Sequence, residues 1–273
     1  MRLRIMSDLH LEFSDFNVPD LEGDKDTVLV LAGDIGLVHK PRNLNEVYLP
    51  FLSRCNIQFR KVILICGNHE HYGGSFRRTV EDLRGAVASK NLENVVVLEK
   101  ETYVIDDVAF IGATFWTNCD GGHPMAMYLF QGMSDNRVIR TGPNASLPYE
   151  RKFSAADSWT DHMYAKQYIV NAIKEQKQLG RKTVVVIHHG PTKKSIHPMY
   201  EGSDMNMFYA SELTETWIDT NPDLIIHGHT HHPMDYFVDD EKVTCQTRVL
   251  CNPRGYAGHE PDWGFNPTLV YDV

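Results

Sequence analysis

No stretch of this 273-residue chain approaches the ~18 consecutive apolar residues of a membrane-spanning helix. The opening run MRLRIMSDLH has no apolar h-region, so no secretory signal is expected. Cysteine is sparse: Cys55, Cys66, Cys119, Cys245 and Cys251 are odd in number, scattered and without a CxxC pair. That pattern speaks against a disulfide framework and fits a reducing compartment, so a cytoplasmic protein is expected. Positive charge is short as well. Lysine and arginine number 27 against 36 aspartates and glutamates, a net charge of −9. Such a balance offers no broad footprint for nucleic acid or an anionic membrane. A nucleotide substrate stays open, because bound divalent cations can reverse a local field. There is no internal repeat, no low-complexity tract and no clear linker. What remains is globular, at 42% hydrophobic and 23% charged residues, and long enough to bury a sizeable core. One domain over residues 1–273 is expected.

Apolar runs predict strands at 2–6 (RLRIM), 27–34 (TVLVLAGD), 61–69 (KVILICGNH), 183–191 (TVVVIHHGP) and 223–229 (DLIIHGH). Runs apolar on both faces suit the buried strands of a covered sheet. Helical patterns fall near 43–59, 75–89 and 154–179, the last stopping at Gly180. Two stretches read as hairpins: 101–116, turning at Asp106 and Asp107, and 234–252, turning near Asp239 to Lys242. Alternating strands and helices with added hairpins predict an α/β fold with a mixed sheet. The stretch 117–153 is rich in glycine, proline and asparagine and weakly periodic. It is read as an irregular insertion forming a substrate-facing lid, with Arg137 and Arg140 as its positive charges. A plain surface excursion is the alternative.

The polar residues of interest sit where strands end. Asp8 and His10 follow the first strand, Asp34 the second, Asn68 and His69 the third, His188 and His189 the fourth, and His227 and His229 the fifth. In open α/β sheets ligands bind beyond the carboxyl ends of the strands. Asp8 and His10 are two apart, as are His227 and His229, and in extended backbone such pairs share a face. Carboxylate, amide and imidazole donors without thiolate suit Mn²⁺, Fe, Co²⁺, Ni²⁺ or Zn²⁺, with Mn²⁺ expected first. Seven candidate ligands exceed one tetrahedral ion, so two divalent metal ions sharing a bridging carboxylate are expected.

In this order, D-x-H, G-D, G-N-H, a strand-ending histidine and G-H-x-H resemble the calcineurin-like metallophosphoesterase superfamily, over residues 8 to 229. The resemblance implies a four-layer α/β/β/α sandwich with two mixed β-sheets and a dinuclear metal centre. It implies that Asp8, His10 and His229 hold the first metal, that Asp34 bridges, and that Asn68, His188 and His227 complete the second. His69 would be the non-ligand histidine beside the scissile ester. His188 is preferred to His189, which stays an alternative. The second motif, GDIGLV, lacks the G-D-x-x-D-R-G pattern of the serine/threonine protein phosphatase branch, which points toward phosphodiesterase-like branches. Where many members carry N-P-G-S, this chain reads NPRGY at 252–256.

The expected activity is metal-dependent phosphoester hydrolysis, of diesters first, by a hydroxide bridging the two cations. A DNA end-processing nuclease and a non-catalytic metal-binding scaffold are the rivals. Arg254, on a stiff loop between Pro253 and Gly255, is expected to clamp substrate phosphate; pairing with Glu260 or Asp262 is the structural alternative. His231 and His232 are read as solvated or supporting residues, Glu70 as a loop carboxylate, and Cys66 and Cys251 as buried and inert.

Overall fold

Runs apolar on both faces become the central strands of two sheets. The computed structural model describes residues 1–142, 151–239 and 244–273. Its strands are β1 (Arg2–Met6), β2 (Val28–Ala32), β3 (Lys61–Ile65), β4 (Val95–Leu98), β5 (Glu101–Ile105), β6 (Val108–Ala113), β7 (Lys182–Ile187), β8 (Leu224–His227), β9 (Met234–Asp239), β10 (Thr244–Cys251) and β11 (Val270–Asp272). The first sheet has the order β11-β1-β2-β3-β4 and the second β5-β6-β7-β8-β10-β9. Strands β1 to β4 are parallel, as are β6, β7, β8 and β10. Antiparallel partners lie at the margins: β11 on β1, β5 on β6 and β9 on β10. Both sheets are therefore mixed.

Alternation along the strands sorts side chains into layers. Leu3, Ile5, Val28, Val30 and Ile63 face Phe110, Val184, Val186, Leu224 and Ile226, forming the core between the sheets. The other face of the first sheet, with Leu29, Leu31, Val62 and Leu64, packs on Phe51, Leu52, Leu83 and Val87 from the helices Leu49–Gln58 and Thr79–Ser89. The other face of the second sheet, with Ile111, Val185, Ile187 and Ile225, packs on Ile169, Ile173 and Trp217 from the helices Ala155–Gln178 and Thr214–Thr220. This is the four-layer α/β/β/α arrangement. Among the described residues, no helix is long and apolar enough to cross a membrane.

The long helix begins at a capping box, in which Ser154 and Asp157 each accept from the other's backbone N–H, and Gly180 follows its end at φ 73°. The first hairpin pairs Ile105 with Val108 around the expected Asp106–Asp107 turn. The expected turn of the second hairpin, at residues 240–243, lies outside the described residues, as do residues 143–150 of the insertion. Strands β4 and β11 were not foreseen: they are four and three residues long, and pairing defines them more than pattern does. The segment from 117 is not irregular but a chain of short helical turns, Cys119–Gly122, Pro124–Leu129, Phe130–Gly132 and Ser134–Val138. Phe130 and Ile139 from it join Trp116, Phe153 and Phe208 in a small core of their own.

Candidate metal centre

The parallel strands of both sheets deliver their carboxyl ends to one place. Just beyond them the chain turns sharply. Of the twelve non-glycine residues with positive φ among those described, five are Asp8, Asp34, His10, His229 and His231. Left-handed backbone is costly for such residues, and its concentration here marks a site whose surroundings hold it in place. Asp8 and His10 thus meet through left-handed turns, not through extended strand. Glycines allow the close approach: a Cβ on Gly228 would lie 2.6 Å from Asp8 Oδ2, and one on Gly67 would lie 2.6 Å from His188 Cε1.

Three groups of donor atoms result, each within 4.8 Å: Asp8, His10 and His231; His10, Asp34 and His69; and Asp34, His188 and His229. Asp34 links them. Its Oδ2 lies 3.3 Å from His188 Nε2 and 3.8 Å from His10 Nε2, while Oδ1 accepts from the His69 backbone N–H at 2.7 Å. Asn68 Oδ1 lies 3.1 Å from His188 Nε2.

The donor set fits cations, as the proton bookkeeping of the imidazoles shows. His10 Nδ1 faces Glu12 at 3.1 Å, and His231 Nδ1 faces Glu260 at 2.7 Å. A carboxylate only accepts, so both Nδ1 atoms carry the hydrogen, and in neutral rings both Nε2 atoms are lone pairs. Those two Nε2 atoms face each other at 3.1 Å. Only positive charge between them, a proton or a metal ion, makes that approach favourable. The carboxylate behind each ring is the usual orienting partner of a metal-bound histidine. His188 repeats the design, with Nδ1 on the Ala32 carbonyl at 2.9 Å. Burial alone would lower its pKa, but Asp34 and Asp8 reverse this and raise it to about 10. A cation would answer the same field. Asp8 Oδ2 and His229 Nε2 are buried without any hydrogen-bond partner, as expected of ligand atoms.

Supporting carboxylates hold this arrangement. Glu70 is fully buried and accepts from the backbone N–H groups of Asp34, Ile35 and Gly67 at 3.0, 2.8 and 2.7 Å, and from Tyr48 Oη. It thereby ties the second motif to the third. Asp135, from the insertion, accepts at Oδ1 from Asn68 Nδ2 at 3.0 Å and from Tyr72 Oη at 3.1 Å. Asn68 Nδ2 also lies 3.0 Å from Tyr72 Oη, so the amide nitrogen is turned toward these two partners and Oδ1 toward His188. His69 is held at Nδ1 by Glu12 at 2.7 Å and at Nε2 by Tyr256 Oη at 3.1 Å, with Tyr72 stacked at 4.2 Å. Burial opposes its protonation, but Asp34 and Glu12 raise its pKa to about 9.

Not every expected residue arrives. His227 is corrected by strand parity. Ile226 faces the core between the sheets and Ile225 the outer layer, so His227 points outward with Ile225. Its Nε2 meets Ser195 Oγ at 3.0 Å and its Nδ1 the Gly228 carbonyl at 2.8 Å, away from every donor group. His231 occupies the place expected for a second member of the pair. The signal was present: read from Gly228, G-H-x-H names His229 and His231. The same parity separates His188, which faces the sheet interface beyond Val186, from His189, whose Nδ1 approaches the Thr114 carbonyl at 3.4 Å.

Arg254 is also corrected. Its Nη1 donates to the carbonyls of Leu9 and Ser14 at 3.1 Å each, and its Nη2 to Ser14 Oγ at 2.7 Å and the Asp15 carbonyl at 3.1 Å, with the guanidinium over Phe16. Neither a phosphate clamp nor a pair with Glu260 or Asp262 is formed. The next side chain but one, Tyr256, reaches the site instead. Arg137 donates to Ser134 Oγ and Arg140 to the carbonyls of Arg137 and Ile139, so both arginines serve their own turn.

Above the cluster opens a cavity of about 480 Å³, reaching Asp34, Asn68, His229 and His231. Residues 132–135 wall it and the segment 196–209 faces it, with Tyr72 and Tyr256 between.

Comparison with known proteins agrees with this geometry. An uncharacterised protein of Acanthamoeba polyphaga mimivirus, L509, is 24% identical over 293 residues, covering 99% of this chain and 96% of that protein. The crystal structure of phosphopantetheinyl hydrolase (PptH) from Mycobacterium tuberculosis shares the fold, with a TM-score of 0.60 at 16% identity, covering 96% of this chain and 93% of that one. The profile of the calcineurin-like phosphoesterases matches residues 1–233, from the first strand past the last paired histidines. That span includes all three donor groups, and the chain belongs to the calcineurin-like phosphoesterase family.

Proposed function

We propose that this protein is a metal-dependent phosphodiesterase that holds two divalent cations, Mn²⁺ foremost, one between Asp8, His10 and His231 and the other between Asp34, Asn68, His188 and His229. The observation that carries this reading is the pair of Nε2 atoms of His10 and His231, facing at 3.1 Å with a carboxylate behind each ring. Two cations so held would lower the pKa of water at neutral pH and neutralise charge on the phosphoryl oxygens. Asp34 would bridge them, its Oδ2 lying between His10 and His188. His69, fixed by Glu12 and Tyr72, presents Nε2 to Tyr256 Oη, which lines the cavity, and would protonate the leaving oxygen. Glu70 and Asp135 would keep Asp34 and Asn68 in their orientations.

The test is hydrolysis of an aryl phosphodiester by the metal-stripped protein after addition of Mn²⁺, Fe²⁺, Co²⁺, Ni²⁺ or Zn²⁺, and again with chelator. Turnover that appears with metal, at close to two ions per chain, supports the proposal. Absence of metal-dependent turnover on diesters and monoesters alike overturns it.

A further inference from the structure

The phosphoesterase reading leaves the substrate open, and the charge around the cavity narrows it. Among the described residues lining the cavity there is neither lysine nor arginine. The arginines that could have served are engaged elsewhere: Arg254 on the Leu9–Asp15 loop, and Arg137 and Arg140 on their own turn. The charged side chains that do face the cavity beside Asp34 are Asp135 and Glu260. An adjoining groove shares Ile196, His197, Ser203 and Asn206 with the cavity. It carries Asp120, Glu201, Asp204 and Glu212 against a lone Lys193. Tyr72, Tyr200, Tyr209, Met133 and Met205 give the cavity wall aromatic and apolar faces, beside the uncharged polar Ser134, Ser203, Asn206 and Thr230 and the imidazole of His197.

Bound cations would balance the scissile phosphate. A second anionic group on the substrate would find no lysine or arginine among the described lining residues, and would face the carboxylates of Asp34, Asp135 and Glu260 in a partly closed space where like charges repel strongly. Tyrosine and methionine walls favour a flat or apolar body. Resting on the phosphoesterase reading, we infer that the substrate is a phosphodiester whose only anionic group is the scissile phosphate, with an uncharged aromatic or apolar body against the tyrosine and methionine walls.

The experiment compares three substrates with one leaving group at fixed metal loading: the p-nitrophenyl ester of thymidine 5′-monophosphate, the same diester bearing a 3′-phosphate, and p-nitrophenyl phosphate. The plain diester should have the highest kcat/KM, exceeding the 3′-phosphorylated one by at least ~10-fold, the scale of like-charge discrimination in a confined site. Its kcat/KM should change little with salt, unlike that of an enzyme tracking a phosphate backbone. Met133→Lys and, separately, Ser203→Arg should narrow the gap by improving the 3′-phosphorylated substrate. Equal or better use of the 3′-phosphorylated diester, or preference for the monoester, overturns the inference while leaving the phosphoesterase reading intact. No metal-dependent hydrolysis of any of the three, or of other phosphoesters, overturns both.

Discussion

The floor of the cavity and its walls are held in place by different forces. The floor is backbone register: parallel strands end side by side, left-handed turns follow, and Glu70 locks two of the turns through their N–H groups. The walls are packed loops. The turns from Cys119 to Val138 rest on Trp116, Phe130, Phe153 and Phe208, and the segment 196–209 lies across them. A floor of this kind tolerates little, since its donors must converge within ångströms, whereas walls built from packing can be altered to change which substrate enters. Asp135 is a direct link between the two regions, reaching from the wall to Asn68, a proposed ligand on the floor.

The comparison can be broken most sharply at Asp34. Asp34→Asn should remove the shared ligand and abolish turnover with loss of bound metal, while circular dichroism shows the fold retained. A variant that keeps two metals and a near-normal rate would mean the bridge lies elsewhere. Next comes the contrast between His231 and His227, which are only four residues apart. His231→Leu should weaken metal binding by more than ~10²-fold, beyond the effect of losing a supporting partner. His227→Leu should leave metal content unchanged and lower stability by about 1–3 kcal/mol, because Ser195 loses a buried partner. Calorimetric metal titration and chemical unfolding of the two variants separate floor from outer layer.

His69→Ala should retain metal and lose ~10²–10⁴ in kcat, the usual contribution of a general acid. The deficit should shrink with p-nitrophenolate as leaving group, and an equal deficit on poor leaving groups would remove the acid role. Asp135→Ala tests the link between wall and floor. Metal affinity should fall ~10–100-fold as Asn68 becomes free to turn, while Asp135→Asn, whose amide oxygen can still accept, should recover most of it. The smallest effect is expected at Arg254. Arg254→Ala should lower stability by about 1–3 kcal/mol through the carbonyls it leaves unpaired, with kcat/KM per metal-loaded molecule unchanged. A loss of kcat/KM without loss of stability would restore a substrate contact.

Much of the floor was legible because its chemistry is local. Asp8, His10, Asp34, Asn68 and His188 each follow an apolar run directly, and a strand end announces itself by composition. His227 misled because it, too, closes such a run. Which face a strand-ending residue takes depends on the parity of the whole strand, fixed only when the sheet is covered on both sides. His231, four residues further on, reads in the sequence as a solvated or supporting residue, and it comes into position through a left-handed turn that no hydrophobic pattern encodes.

The sequence by itself determined the class of chain, the order of its long apolar strands and longer helices, and the kinds of donor atoms available. These depend on composition, periodicity and short-range spacing, which need no partner. Tertiary structure alone decided the partnerships: Glu12 between His10 and His69, Glu260 behind His231, Asp135 on Asn68, and Arg254 on the Leu9–Asp15 loop. Each joins residues whose proximity is set by chain path, and a carboxylate or guanidinium carries no mark in the sequence of which partner it will meet. The same holds for the cavity's lack of lysine and arginine among the described residues, since a chain with 27 of them gives no hint that none of those described lines it.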